Sequence, residues 1–258
     1  FPTRRSSDLL ETVYTDYQGN RADADFVNLE IYLKRVWFSN GIHHHYSEEK
    51  FTPAFSKAFF ETAVTQTDAK LLPLLENETA AQLVARIAPV IFDPALYPKR
   101  TNQEPGVDLI LTSANNYYEG VTQAEVEAFY AKMKDPNDNT PISYGLNSKL
   151  VKENGVLVEK TYKVGGMYSA AIKRIVGWLE KAASVAENPK QKDVITSLIE
   201  FYATGSLKTY DEYSIKWVED LASQVDFVNG FTETYGDPLG MKASWESIVN
   251  FKNIEATK

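Results

Sequence analysis

Asn154-Gly155 is the tightest constraint this chain places on its own fold. Both residue types tolerate positive φ, and the pair is the preferred centre of the two-residue type I′ turn, whose twist matches antiparallel strands. It stands between two runs with strand character, 149–153 and 156–164. In the second run Val156, Val158, Lys160, Tyr162 and Val164 share one face, as the two-residue period of a strand requires. A hairpin is therefore expected here, in a chain whose remaining periodicity is mostly helical. The expected class is α+β, mainly helical around a small antiparallel β core.

The helices announce themselves by apolar spacing and by their ends. Residues 24–39 are rich in apolar side chains, among them Phe26, Leu29, Leu33 and Val36, and stop before Asn40-Gly41, a natural C-terminal cap. Residues 79–91 place Leu83, Val84, Ile87 and Ala88 at helical spacing and close at Asp93-Pro94. Thr122-Gln-Ala-Glu125 is a capping box, with Val121 and Val126 at the flanking staple positions. That helix should run to about residue 134 and break at Asp135-Pro136. Three more are expected over 167–186, over 190–203 (closed by Thr204-Gly205) and over 210–222. A last helix is read over 244–256 from Ile248 and Phe251. Residues 108–112 and 142–146 are candidate strands. There is no internal repeat, and 135–141 is the best loop candidate.

Composition bounds what such a fold can do. With 258 residues, 43% of them apolar and 12% aromatic, a packed core is within reach. The net charge of −8 leaves no basic stripe to displace counterions from a nucleic acid. The absence of cysteine removes disulfides, thiolate catalysis and cysteine-ligated zinc. No apolar run reaches the ~18 residues of a membrane-spanning helix.

Several catalytic signatures are missing as well. The sequence has no His-Glu dipeptide, no phosphate-binding or dinucleotide glycine fingerprint, and no Gly-x-Ser-x-Gly elbow. Its histidines, His43, His44 and His45, are adjacent. Three neighbours cannot converge on one ion, because on a strand only the first and third share a face, so packing on aromatic neighbours is the simpler expectation. Gly165-Gly166 before a helix reads as a turn. Asn115-Asn116-Tyr117-Tyr118 is either a plain turn or a loop of the kind that lines clefts.

The candidate site lies in Phe231-Thr-Glu-Thr-Tyr-Gly-Asp-Pro-Leu-Gly-Met-Lys-Ala-Ser-Trp-Glu246. On an extended strand Glu233 and Tyr235 would point to one face, and the Asp-Pro-Leu-Gly turn could swing Trp245 and Glu246 back towards them. Acids and a phenol so placed can grip a cationic ligand; surface polarity near a turn is the plain alternative. At the other end, Phe-Pro-Thr-Arg-Arg-Ser-Ser-Asp-Leu matches an in-frame translation of a common DNA-sequencing adapter. Phe1 to about Leu9 are thus expected to be an assembly artefact, with a natural, basic, Ser-rich leader as the alternative, and the parent gene is expected to extend in both directions.

Segment 231–246 strongly resembles the dipeptidyl peptidase III family, zinc peptidases that remove dipeptides from the N-termini of short peptides. Tyr32-Leu-Lys-Arg-Val-Trp-Phe-Ser-Asn-Gly-Ile-His-His-His-Tyr46 is similar to the bacterial branch of that family. Segments 115–120, 144–153, 165–179 and 199–206 fall in the family's order and spacing, so the resemblance covers essentially all of 10–258. It implies two lobes around a wide cleft: one with a five-stranded β-barrel core and helices, the other mostly helical and carrying zinc. This chain would be most of the first, substrate-binding lobe. Glutamates matching Glu233 and Glu246 would hold the substrate's ammonium, and a tyrosine matching Tyr235 would hydrogen-bond near the scissile carbonyl.

The family's zinc helix, His-Glu-x-x-Gly-His, and its downstream glutamate ligand are not in this sequence. The resemblance thus implies zinc in an intact parent and no metal ligand in this chain. It implies short peptides with a free N-terminus as partners, no nucleic acid, no membrane, and a monomeric parent, in cytoplasm or periplasm. A non-catalytic peptide-binding module is the alternative. A helical scaffold unrelated to peptides fits the aromatic density and the Glu233–Tyr235 constellation less well.

Overall fold

The computed structural model describes residues 2–253, 255 and 256, with side chains from residue 7 onward. The chain divides into two compact units, residues 1–114 and 115–258.

Unit 1 is helical: α1 (Pro2–Asp16), α2 (Ala24–Ser39), α3 (Lys57–Gln66) and α4 (Ala80–Phe92). Helix α2 has the predicted bounds. The Asp23 side chain accepts the Asp25 N–H at its start, and Asn40 closes it in the left-handed region at φ 55°. The start of α4 is a capping box in which Thr79 and Gln82 satisfy each other's backbone N–H. Helix α3 was not expected, although Ser56 caps it by accepting the Phe59 N–H at 3.1 Å. The four helices bury one core that includes Leu10, Leu33, Phe60, Leu83 and Ile87. The backbone from Pro2 is already helical, and Leu9 is fully buried in that core.

Among its described residues, unit 2 interleaves five strands with four helices: β1 (Tyr118–Glu119), α5 (Gln123–Ala131), β2 (Ser148–Glu153), β3 (Val156–Thr161), α6 (Ser169–Ser184), α7 (Pro189–Thr204), α8 (Leu207–Glu219), β4 (Val225–Glu233) and β5 (Ser244–Phe251). The predicted hairpin is β2–β3, turning through Asn154 at φ 50° and Gly155 at φ 82°. Strand β1 adds to β2 in parallel. Helix α5 begins at the predicted Thr122–Glu125 capping box. Gly205 ends α7 at φ 74°. The core joins Leu198, Phe201 and Tyr202 of α7 to Tyr210 and Tyr213 of α8, Ile172 and Leu179 of α6, and Phe231 of β4. No helix among the described residues is long and apolar enough to cross a membrane.

Three expectations are corrected. Residues 244–256 do not begin as a helix: β5 pairs antiparallel with β4 from Ser244 to Phe251. The turn before it returns the chain alongside β4, and pairing with that strand outweighs the weak i, i+3 spacing of Ile248 and Phe251. Segments 108–112 and 142–146 form turns, over 109–112 and 144–146, rather than strands. Finally, among the described residues the strands form a three-stranded sheet (β1–β2–β3) and a two-stranded one (β4–β5), and neither closes into a barrel.

Candidate functional site

The loop between β4 and β5 is organised by one buried carboxylate. Asp237 is 1% exposed. Its Oδ2 accepts the main-chain N–H groups of Met241 (2.9 Å) and Lys242 (2.8 Å) and the hydroxyl of Tyr118 (2.8 Å), while Oδ1 accepts the Leu239 N–H at 3.1 Å. This is what the Asp-Pro-Leu-Gly sequence encodes: aspartate bonding its own backbone a few residues on, with Pro238 restricting φ. Burial first, then the charge of Asp237, pushes the Tyr118 phenol well above its ordinary range, so it stays a donor.

The second anchor is Lys242, fully buried. Its Nζ donates to Tyr130 Oη (2.7 Å), Ser148 Oγ (2.9 Å) and the Gly145 carbonyl (3.2 Å). Both hydroxyls in turn donate to Glu159 Oε1 at 2.6 Å, which makes a hydroxyl-bridged ion pair. A Cβ at residue 145 would stand 2.9 Å from the Tyr130 ring and 3.2 Å from Nζ, so only glycine fits there. Burial lowers the Lys242 pKa to about 8, and the charges of Glu159 and Asp237 oppose that shift.

On this base the structure places the three predicted residues differently from one another. Phe231 pairs with Trp245 and Gly230 with Glu246, but the next pair is Glu233 with Ser244. One extra residue, Thr232, therefore sits in β4, forming a bulge. Without it Glu233 would share the face of Phe231, which stacks on Tyr162 at 5.2 Å in the core. With it, Glu233 lies on the opposite face, that of Ser244 and Glu246. The Thr232 hydroxyl donates to the Glu246 carboxylate on that face. Glu246 is half-buried and close enough to Tyr210 that burial and its charge push that phenol up to about 12. Glu233 is exposed, and among the described residues its carboxylate has no hydrogen-bond or ion-pair partner.

Tyr235 does not share a strand face with Glu233, because β4 ends at Glu233 and Tyr235 stands in the turn, 76% exposed. It lies within electrostatic reach of Tyr117, whose phenol is pushed up by burial, by Asp237 and by Tyr235. The 115–118 loop is an Asx turn, Asn115 accepting the N–H groups of Tyr117 and Tyr118. It brings Tyr117 to the edge of the candidate site and Tyr118 to its foundation. Sequence reasoning singled out that loop but not Lys242, whose sequence neighbours carry no sign of burial.

The opposite hairpin face is apolar. Phe227, Trp245 and Val249 line a cavity of about 420 Å³ with Trp178, Leu179 and Ile195 of the helices. The Trp245 indole N–H donates to Tyr202 Oη at 2.7 Å, which holds that side chain away from Glu246. Trp245 is therefore not brought to the acids as expected.

The histidines of unit 1 do not form a metal site. His43 is buried, and its Nε2 donates to the Tyr97 carbonyl at 2.9 Å. Burial lowers its pKa. His44 Nδ1 accepts two backbone N–H groups, from Tyr46 and Ser47. His45 packs edge-on against Phe38 at 4.8 Å, with Nδ1 on the Ser39 hydroxyl. One ring nitrogen of each histidine is thus committed to the protein. Among the described residues no three histidine or carboxylate side chains are placed to hold a metal, so these residues do not fit a zinc ion.

Known proteins resemble this chain along most of its length. Residues 116–258, nearly all of unit 2, match the sequence profile of peptidase family M49. Dipeptidyl peptidase 3 of Nematostella vectensis is 22% identical over 265 residues, covering 90% of this chain and 35% of that protein. Dipeptidyl peptidase 3 of Homo sapiens is 32% identical over 88 residues, 34% of this chain and 12% of the relative. Among solved structures, DPP III from Caldithrix abyssi covers 98% of this chain and 40% of its own, at 17% identity and a TM-score of 0.45. The chain thus spans about a third of the Nematostella protein's length. It belongs to peptidase family M49, the family of the dipeptidyl peptidase III enzymes.

Proposed function

We propose that this chain supplies the substrate grip of a zinc-dependent exopeptidase that releases dipeptides from short peptides, as part of a longer parent. The observation that carries the reading is the bulge at Thr232, which sets Glu233 on the face of Glu246 beside a clamped turn. Two carboxylates on one face suit a primary ammonium, whose three donors each take an acceptor. In this reading Glu233 and Glu246 anchor the peptide N-terminus. The exposed phenol of Tyr235 donates to the scissile carbonyl as negative charge develops on its oxygen. In the parent, zinc would supply the activated water, and none of the steps assigned to this chain passes through it.

Two outcomes test the proposal. The purified chain is expected to release no dipeptide from an arginyl-arginyl chromogenic substrate, and measurable release would refute the division of labour. Glu233→Gln is expected to weaken binding of a peptide with a free N-terminus about tenfold, ~1.4 kcal/mol, while the N-acetylated peptide is unaffected. Equal affinity of both peptides for the unmodified chain would remove the ammonium grip altogether. A peptide-binding module without chemistry shares this grip and differs only in having no catalytic parent.

A further inference from the structure

We propose that Lys242 is a positioning residue for the ammonium grip, its side chain pinning the start of β5, and through it Glu233 and Glu246, to the three-stranded sheet. This rests on the peptide-binding reading above. The geometry runs along the backbone. Lys242 Nζ spends its three donors on three acceptors, Tyr130 of α5, Ser148 of β2 and the Gly145 carbonyl. The next residue, Ala243, donates its N–H to the Leu146 carbonyl at 2.9 Å. The one after, Ser244, is the partner of Glu233 across the bulge, and its Oγ donates to the Glu233 carbonyl at 3.3 Å. Glu246 follows two residues later on the same face. Contacts at three consecutive residues, 242 to 244, thus connect a buried cation to Glu233, with Glu246 two residues further along the same strand.

The groups facing Lys242 come from every side. They are Glu159 of β3 through the two hydroxyls, the Tyr130 ring at 4.9 Å, the Tyr118 ring of β1 at 5.5 Å, and Asp237 of its own loop. A buried lysine is costly to keep, and an apolar residue would fill the same space more cheaply. What the lysine adds is direction: three fixed hydrogen bonds set where β5 begins, to a tolerance packing alone does not impose. Because two acids must meet one ammonium together, a small shift of the β5 start separates them.

The test uses the full chain and a pair of ligands, alanyl-alanine amide and its N-acetyl form, titrated calorimetrically. The readout is the ratio of their affinities, which a loss of general stability does not move. Lys242→Met keeps the stem and removes the donors. It is expected to reduce the preference for the free N-terminus about tenfold. Faster hydrogen exchange at the amides of residues 239–243, with β2–β3 still protected, is the accompanying local sign. A variant with wild-type preference overturns the positioning role alone, whereas a wild-type chain without preference overturns the grip on which it rests. If Lys242→Met does not fold, Tyr130→Phe carries the same test by removing one acceptor. A reduced preference, about threefold, supports the role, and an unchanged one overturns it.

Discussion

Asp237→Ala is expected to destabilise unit 2 by about 3–5 kcal/mol, the largest effect of any single change in the β4–β5 loop. The carboxylate is 1% exposed and accepts four hydrogen bonds, three from main-chain N–H groups and one from Tyr118. Alanine leaves those donors without the acceptor they share. Each orphaned donor costs roughly 1–3 kcal/mol, and the losses are shared within one network rather than additive. Asp237→Asn keeps one acceptor oxygen and should cost about half as much. Urea unfolding followed by tryptophan emission reads the change, since Trp178, Trp217 and Trp245 all lie in unit 2. A loss below about 1 kcal/mol would mean that the loop is held by something other than this carboxylate. Peptide binding should weaken in the same variant, because Glu233 and Ser244 sit at the two ends of the loop.

The second large effect is a stability maximum on the alkaline side of neutrality. Lys242 titrates at about 8 in the folded chain, against 10.5 for an ordinary lysine. Between those values the unfolded chain binds the extra proton, so stability rises with pH. The gain should reach about 2.5 kcal/mol by pH ~10. Lys50 of unit 1, whose pKa is also lowered by burial, adds in the same direction. Above pH ~10 the sign reverses. Burial raises the phenols of Tyr118, Tyr130, Tyr162, Tyr202 and Tyr213, so the unfolded chain loses those protons first and stability falls steeply. Urea midpoints at stepped pH values check this. Lys242→Met should flatten the rise while leaving the fall in place. A wild-type midpoint that does not rise between pH ~8 and ~10 would contradict the burial of a charged Lys242.

Features readable from the sequence share a physical character: their causes lie within a few residues. The Asn154-Gly155 turn, the Thr122–Glu125 capping box and the bounds of α2 follow from φ preferences and side chains that bond their own neighbours. The candidate residues Glu233, Tyr235 and Glu246 are visible as acids and a phenol beside an Asp-Pro turn, but their placement is not. Expectations failed where distant partners decide. Residues 244–251 carry spacing that a helix could use, yet β4 captures them as a strand. Tyr235 was assigned a strand face, but the strand ends two residues earlier. Helix α3 has a capping serine, but its apolar face becomes legible only against α4.

By itself the sequence determined local conformation: which segments turn and where most helices start and stop. Only the tertiary structure decided orientation and burial. The bulge at Thr232 moves Glu233 from the core face to that of Glu246, and no local preference marks it, since it arises from the pairing of two strands through a turn. Lys242 reads as a solvent-facing lysine until Tyr130, Gly145 and Ser148, 94 to 112 residues away along the chain, close around it. Short-range torsional preferences are written residue by residue. A face or a buried charge is a property of segments brought together by folding.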